Sequence, residues 1–378
     1  MRLCVFTPDL DGIDERRDAL VAQFATVCPE PIDAVCFAGY RKTGTQLDEL
    51  GCYLPYEQHS PIKMKMARSV FRIVDHVPAV PASVARAGLA WSSSWLIELL
   101  LACDPDAIGL DIAWPSQLND VLAPEFAGPV YAFDRGAVRK VGGTLQQQHA
   151  DATAKVTIVL PTYNGSKYLR QSIQSCLDQT FRNLELIVAD DGSAENIGAI
   201  VAEFTDSRVR YLRHEVNRGL PATLNTAFRA ATGDYLTWTS DDNYYAPQAI
   251  ERLVRFLQRY PRIDFVYSSQ YILDELSPSN NLRVQIAQPP QHLVDTNGVG
   301  ACFLYTRDVY REVGDYSTAA ELVEDYDCWF RVTRKFRVHR IIYPLYYYRF
   351  HQNSLTFARD RQEHAKQTLL VKQQHSAV

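Results

Sequence analysis

The feature that most constrains the fold is an alternation of strand and helix patterns between residues 156 and 247. Val156–Leu160 is an apolar run that ends at Pro161, and Ser166–Gln179 then repeats apolar residues at helical spacing. Apolar runs of this length are typical of strands that are covered on both faces. The β-α-β-α order predicts an α/β protein with a mostly parallel sheet and helices on both faces.

The other elements of this alternation follow in order along the chain. They are predicted strands at Leu184–Ala189, Val209–Leu212 and Tyr235–Thr239, helices at Glu195–Phe204 and Leu220–Ala231, and a further helix with Pro247 in its first turn. Proline is favoured in the first turn of a helix because the N–H groups there have no intrahelical acceptor, so no hydrogen bond is lost.

The chain has 378 residues, which predicts two domains rather than one core. The segment 144–154 is polar and without periodicity, so we interpret it as a linker. It would separate a smaller N-terminal α/β domain, residues 1–143, from a larger domain over 155–356 and a helical tail over 357–378. Strand patterns in the smaller domain occur at Arg2–Thr7, Ala34–Phe37, Ala107–Leu110 and Pro129–Phe133, with a helix pattern at Ser94–Cys103. That domain has no nucleotide-binding signature, so packing, acceptor binding and partner binding all stay open for it.

Composition excludes several classes of function. The net charge of −5 provides no basic surface for a nucleic-acid backbone. The eight cysteines include no Cys-x-x-Cys pair and are expected as small core residues. The first apolar run ends at Thr7, and no stretch reaches the roughly 18 apolar residues that cross a bilayer. The sequence predicts a cytoplasmic protein, with peripheral association at the inner face of the membrane left open.

Polar segments follow three of the predicted strands, at Pro161–Gly165, Asp190–Ser193 and Ser240–Asn243. Ligands of open α/β sheets bind beyond these carboxyl ends. Helix capping by Asp190, Asp191 or Ser193 is the structural alternative for the second segment. The adjacent carboxylates of the third segment repel each other unless a cation compensates, and oxygen ligands suit Mg²⁺ or Mn²⁺.

These segments, taken in order, resemble the family 2 glycosyltransferases over about residues 155–356. The motifs that carry the resemblance are Val156-Thr-Ile-Val-Leu-Pro-Thr-Tyr-Asn-Gly165, Leu186-Ile-Val-Ala-Asp-Asp-Gly-Ser193, Asn217-Arg-Gly219, Ala230-Ala-Thr-Gly-Asp-Tyr235, Ser240-Asp-Asp-Asn243, Glu324-Asp-Tyr-Asp-Cys-Trp-Phe-Arg331 and Tyr348-Arg-Phe-His-Gln-Asn-Ser354. The segment from Asp241 to Pro247 is similar to the spore-coat polysaccharide transferases of that family. The resemblance implies a GT-A fold, which is a Rossmann-like sheet with helices on both faces.

The same resemblance implies a set of site residues. Donor-nucleotide contacts would come from Pro161, Thr162, Tyr163, Asp191, Asn217, Arg218 and Asp241. Asp242, with Asp241 and His351, would bind the divalent cation, and Asp325 would be the catalytic base. The implied reaction is metal-dependent, inverting transfer of a sugar, hexosyltransferase in type, from a nucleotide-diphosphate donor. A UDP-sugar is the first donor to consider, and the acceptor would be a saccharide or lipid-linked hydroxyl in polysaccharide or glycoconjugate synthesis.

Three other classes of function have features that this sequence can be compared with. A catalytically inactive sugar-nucleotide-binding or regulatory protein is the main alternative, and the intact Asp191, Asp241, Asp242 and Asp325 argue against it. A polymerising synthase would add transmembrane helices and a Gln-x-x-Arg-Trp segment, neither of which occurs in this sequence. A nucleotidyltransferase would need a glycine-rich, basic loop after its first strand, which the segment after Pro161 does not provide.

The assignment of the base also has alternatives. Glu324 and Asp327 are fallback bases because they lie in the same acidic segment. Asp325 has a structural alternative as a helix cap or as the partner of Arg331 or Arg334.

Overall fold

The computed structural model divides into two units, residues 1–147 and 148–378. The structure describes the N-terminal strands given below, positions 19, 22, 23 and 26, and then residues 153–277, 282–285, 287–288, 290–352, 354 and 361–376. The division falls inside the segment 144–154, whose role as a linker stays a prediction.

The N-terminal unit contains a seven-stranded sheet. Its strands are β1 (Arg2–Thr7), β2 (Ala34–Thr43), β3 (Gln46–Tyr53), β4 (Val70–Arg72), β5 (Ala107–Leu110), β6 (Val130–Asp134) and β7 (Ala137–Gly142). Their order is β4-β3-β2-β1-β5-β6-β7, with parallel pairing from β2 through β1 and β5 to β6. The four predicted strands are therefore present, whereas the predicted helix at Ser94–Cys103 lies outside the described residues.

The C-terminal unit combines a nine-stranded sheet with seven α-helices among the residues that are described. The strands are β8 (Val156–Thr162), β9 (Leu184–Asp190), β10 (Val209–Arg213), β11 (Tyr235–Trp238), β12 (Tyr244–Tyr245), β13 (Phe265–Asp274), β14 (Leu282–Gln285), β15 (Phe303–Thr306) and β16 (Val338–Phe350). The helices are α1 (Ser166–Leu177), α2 (Ile197–Ala202), α3 (Leu220–Ala230), α4 (Ala249–Arg259), α5 (Arg307–Val313), α6 (Glu324–Lys335) and α7 (Arg361–Ser376).

The order of the larger sheet is β10-β9-β8-β11-β15-β13-β16-β12, and β14 pairs with β13. The predicted strands β10, β9, β8 and β11 are parallel to one another and form one half of the sheet. The other half is mixed, because β15 is antiparallel to β11 and β13 whereas β13 and β16 are parallel.

The parallel half is covered on both faces. All seven residues of β8 and of β9 are buried, as their apolar runs predict. The connection β8–α1–β9 moves along the sheet toward β10, whereas the connection β10–α3–β11 moves in the opposite direction, past β9 and β8. Right-handed connections therefore put α1 and α3 on opposite faces.

One predicted helix start is wrong. Helix α4 begins at Ala249 with Gln248 as its N-cap, so Pro247 lies before the helix rather than in its first turn. A turn in which the Ala249 amide donates to the Ala246 carbonyl precedes the helix, and the Pro247 carbonyl accepts from the Thr180 amide at 2.9 Å. The Pro247 carbonyl thus links the segment before α4 to the segment that follows α1.

The mixed half of the sheet packs against α6 through aromatic residues. Trp329 of α6 is 1% exposed, and its ring contacts Phe265 and Phe303 edge-on at 4.9 and 4.7 Å. This contact fixes α6, and with it the acidic first turn of that helix, against the sheet. Within the described part of the chain, no helix is both long enough and apolar enough to cross a membrane.

Candidate active site

The polar segments predicted as a site meet at one edge of the larger sheet. The parallel strands β8, β9, β10 and β11 all end there. Because β15 is antiparallel to β11, with Tyr305 opposite Leu236, the loop that enters β15 lies at the same edge. His351, directly after β16, reaches Asp242 beyond β11. This edge is therefore the candidate active site, as expected for an open α/β sheet.

Asp241 is held beside the end of β8. Thr162 donates a hydrogen bond from its Oγ1 to Asp241 Oδ2 at 2.5 Å. Burial, reinforced by the charge of Asp242, raises the pKa of Asp241 to about 7, although the Thr162 hydrogen bond acts in the opposite direction. A Cβ at Gly165 would lie 1.8 Å from Asp241 Oδ2, so this close approach requires glycine.

Asp242 presents an unsatisfied oxygen at the same place. Its Oδ2 lies 3.0 Å from His351 Nε2, whereas its Oδ1 is buried and has no hydrogen-bond partner among the described residues. A buried carboxylate oxygen without a donor is unfavourable unless a cation or ligand supplies the missing interaction. Across the described ranges, no group of three or more His, Cys, Asp or Glu side chains is arranged as a metal site. The unpartnered Asp242 Oδ1, next to Asp241, fits an ion that would complete its coordination with ligand oxygens and water.

Arg349 is a site residue that the sequence reasoning missed. Its Nε donates to the Asp242 carbonyl at 2.9 Å, and its amide donates to Asn243 Oδ1 at 2.7 Å. Its guanidinium also lies 4.2 Å from the ring centre of Tyr168. Arg349 therefore fixes the backbone of the turn formed by Asp241 and Asp242, called the acidic turn below. Strand periodicity could have identified it, because Arg349 lies two residues from His351.

Asp191 holds a loop rather than a helix end. Its Oδ1 accepts from the Arg218 amide at 2.9 Å and faces His214 Nδ1 at 2.8 Å, and its Oδ2 accepts from the Gly219 amide at 2.8 Å. The N-cap of α2 is Asn196, so capping by Asp191 is excluded as its structural role. Asp191 instead brings the loop with Asn217 and Arg218, both exposed, to the site.

The remaining donor-side residues flank this loop. Pro161 is buried in β8 opposite Ala189, whereas Tyr163 is 52% exposed at the edge. Asn164, with a φ of 53°, joins the two strand ends because its amide donates to Ser193 Oγ at 2.9 Å. The structure thus brings the predicted donor residues to adjacent loops, and their contact with a nucleotide stays a prediction.

Asp325 lies in the first turn of α6. Its Oδ2 accepts from Asn297 Nδ2 at 2.9 Å, and its Oδ1 accepts from the Tyr326 amide at 2.6 Å. Asn297 belongs to the loop that enters β15, which links Asp325 to the edge of the sheet where the acidic turn lies. Arg331 pairs with Asp327 at 2.9 Å, so the predicted alternative of an Asp325–Arg331 pair is wrong.

The two alternative bases are in different environments. Asp327 also faces His375 Nε2 at 2.9 Å, and its contacts with Arg331 and His375 occupy both carboxylate oxygens, so it is not a free base. Glu324 is buried, and its Oε2 has no partner among the described residues. Burial raises the pKa of both Glu324 and Asp325, and the charge of Asp325 adds to the rise at Glu324. Adjacent buried carboxylates do not both ionise readily, and the side-chain donor Asn297 and the Tyr326 amide favour the ionised form of Asp325.

Residues 157–314 match the family described as glycosyl transferase family 2. Within this chain, the segment 157–314 is therefore similar to a family 2 glycosyltransferase domain. The predicted fold class is confirmed as well, since the C-terminal unit is an α/β structure of the GT-A type built on one central sheet.

Curated relatives share this glycosyltransferase domain. An uncharacterized glycosyltransferase of Rickettsia felis is 30% identical over 199 residues, which are 49% of this chain and 32% of that protein. A putative glycosyltransferase of Bacillus subtilis, EpsE, is 27% identical over 220 residues, with 54% of this chain and 78% of EpsE covered. The chain thus spans about a third of the length of the first of these relatives.

The crystal structure of S. aureus TarS 1–349 in complex with UDP-GlcNAc aligns with a TM-score of 0.49 at 16% identity, covering 57% of this chain and 65% of that one.

The family match stops before part of the candidate site. It includes Asp191, Asp241 and Asp242 but ends at residue 314, ahead of Asp325 and His351. These last two residues reach the site through α6 and β16, elements that pack against the matched region.

Proposed function

We propose that this chain is a metal-dependent, inverting glycosyltransferase that moves a sugar from a nucleotide-diphosphate donor, a UDP-sugar first, to an acceptor hydroxyl. One observation carries the proposal. The buried and unpartnered Oδ1 of Asp242 lies at the sheet edge to which the Asn297 loop anchors Asp325. A cation-binding carboxylate and a candidate base at one edge are what transfer from a charged donor requires.

The donor half of the mechanism uses the acidic turn. Asp242, with Asp241 and His351, would hold Mg²⁺ or Mn²⁺, and the bound ion would neutralise charge on the leaving diphosphate. Thr162 orients the Asp241 carboxylate, and Arg349 fixes the backbone of the turn. The exposed Tyr163, Asn217 and Arg218 would contact the nucleotide, with Pro161 and Asp191 fixing their loops.

The acceptor half uses Asp325 as the base. The acceptor oxygen attacks the anomeric carbon of the donor sugar while its proton passes to an Asp325 carboxylate oxygen. The bond between the anomeric carbon and the diphosphate oxygen breaks, and the diphosphate leaves with the electron pair. Attack opposite the leaving group inverts the anomeric configuration. The hydrogen bonds from Asn297 and the Tyr326 amide favour the ionised carboxylate of Asp325, which is the form that accepts the proton.

Two variants test the two halves separately. Calorimetry with UDP and MnCl₂ measures nucleotide binding, and UDP release from a panel of UDP-sugars measures turnover. Asp242→Asn should lose metal-dependent UDP binding, as should the wild type in excess chelator. Asp325→Asn should bind UDP as the wild type does but turn over about 10² to 10⁴ times more slowly.

Two results would contradict the proposal in different ways. Unchanged UDP binding by Asp242→Asn and in chelator would refute the metal assignment. UDP binding without turnover of any donor, by wild type and Asp325→Asn alike, would favour the alternative of a sugar-nucleotide-binding regulatory protein.

The setting of the reaction is also part of the proposal. A saccharide or lipid-linked acceptor, a role in polysaccharide or glycoconjugate synthesis, and a cytoplasmic location with peripheral membrane association rest on the family resemblance. An acceptor screen with membrane and soluble fractions is the direct measurement.

A further inference from the structure

The C-terminal helix α7 contacts both elements that hold Asp325. One is α6, which carries Asp325 in its first turn, and the other is the loop that carries Asn297. The family match ends at residue 314, so it gives α7 no role.

The contact with α6 is made by His375. Its Nε2 lies 2.9 Å from Asp327 Oδ1, and both side chains are 9% exposed. The carboxylate can only accept, so Nε2 carries the hydrogen. The His375 ring also stacks on Phe330 at 4.9 Å with an interplanar angle of 13°, and Arg334 donates to the His375 carbonyl. These contacts fix the end of α7 to the helix turn that follows Asp325.

The contact with the Asn297 loop is made by Lys372. Its Nζ donates to the Asp295 carbonyl at 2.7 Å, two residues before Asn297. Val371, beside it, is 2% exposed and belongs to the hydrophobic core that includes α6. Tyr326 adds a direct link between α6 and this region, because its hydroxyl donates to the Leu293 carbonyl. Helix α7 therefore connects α6, which carries the Asp325 carboxylate, to the loop that carries the Asn297 amide.

We propose that His375 and Lys372 are positioning residues, which hold the Asp325 carboxylate and the Asn297 amide in one fixed geometry for proton transfer. The inference rests on the proposed function of Asp325 and adds α7 to the acceptor half of the site. A base acts only within hydrogen-bond distance of the acceptor hydroxyl. A misplacement of about 1 Å costs about 10²-fold in rate.

Three variants of the full chain test this role. His375→Ala removes the contact with Asp327, and Lys372→Met removes the contact with Asp295 while keeping the length of the side chain. Lys366→Met is the matched control, because Lys366 is 65% exposed and pairs with Glu363 of the same helix. Amide hydrogen exchange over residues 295–300 and 323–330 reports the anchoring. Turnover of UDP-sugars and UDP affinity with MnCl₂ report the chemistry.

The expected result is faster exchange in both segments for His375→Ala and Lys372→Met, with kcat lowered about 10-fold to 10²-fold. UDP affinity should change less than about twofold, and Lys366→Met should match the wild type, because neither perturbation reaches the acidic turn. Unchanged exchange in both segments, or faster exchange with unchanged kcat, would overturn the inference. A parallel loss of UDP affinity would also overturn it, by showing general destabilisation. A wild type without turnover refutes the proposed function instead, and the exchange measurement then still decides whether α7 anchors the two segments.

Discussion

Replacing Gly165 by alanine tests the geometry of the acidic turn with the addition of one methyl group. Gly165 has a φ of −103°, which alanine adopts readily, so the substitution introduces no backbone strain. The added Cβ would lie 1.8 Å from Asp241 Oδ2, 2.5 Å from Asp241 Cγ and 2.8 Å from Thr162 Oγ1. The effect of the substitution is therefore steric and falls on Asp241.

The size of the displacement follows from these contacts. Non-bonded atoms settle at about 3.5 Å, so the carboxylate oxygen must move away by roughly 1.7 Å. That movement breaks the 2.5 Å hydrogen bond from Thr162 and changes the position of Asp241 relative to Asp242. A displacement of this size in a positioned group lowers turnover by about 10²-fold. The stability cost is small, since alanine in place of glycine at an N-cap costs about 1 kcal/mol or less.

The assay compares Gly165→Ala with Gly198→Ala, a glycine replacement within α2. A Cβ at Gly198 would lie 3.5 Å or more from Tyr211, which is ordinary contact. Both variants should show similar thermal denaturation, but Gly165→Ala alone should lose metal-dependent UDP binding and turnover of UDP-sugars. Wild-type binding and turnover by Gly165→Ala would refute the placement of Asp241 in the site.

Three further predictions address other parts of the molecule. Arg349→Lys should keep the charge but lose the directed hydrogen bond to the Asp242 carbonyl, so calorimetry should show weaker metal-dependent UDP binding with little change in the denaturation temperature. Burial raises the pKa of Glu324, so over this pH range the folded state binds a proton that the unfolded chain has released. The free energy of unfolding should therefore fall as the pH rises from the usual pKa of a glutamate through the raised pKa of Glu324. Glu324→Gln should flatten this pH dependence in denaturant titrations and leave UDP affinity unchanged. Residues 148–378 expressed alone should still bind UDP by calorimetry, whereas a nucleotide site found wholly in the N-terminal unit would contradict the assignment.

The parallel half of the sheet was predictable because its sequence signal is local. The strands β8 and β9 are buried along their whole length, so each reads as an apolar run. The mixed half gives no such signal. Val338–Phe350 of β16 combines arginine, histidine and tyrosine residues, and its place in the sheet depends on pairing with β12 and β13, which are distant in sequence. The start of α4 was misjudged because Pro247 suits a turn as well as a helix start.

The candidate site was predictable where its residues are adjacent in a sequence motif. It was not predictable where a side chain depends on a hydrogen-bond partner that is distant in sequence. Asp241 and Asp242 stand out as adjacent carboxylates at a strand end. Nothing in the sequence near Asp325 indicates that Asn297 is its hydrogen-bond donor, because 28 residues separate the two. Gly165 likewise reads as part of an Asn-Gly turn, whereas the structure shows that it leaves room for Asp241.

The two halves of the site also differ in how they depend on the folded sheet. Asp191 and the Arg218–Gly219 amides lie in the loops that follow the neighbouring parallel strands β9 and β10, within the family match. The acidic turn depends on His351 and Arg349, which are 109 and 107 residues from Asp242. Those contacts exist only when β16 is paired with β13, because β16 delivers both side chains to the edge. The half of the site that we propose to bind a cation is therefore completed by β16, and the matched segment alone lacks the two side chains that contact Asp242. Under the proposed function, His351 and Arg349 would thus contribute to donor binding although they lie outside the family match.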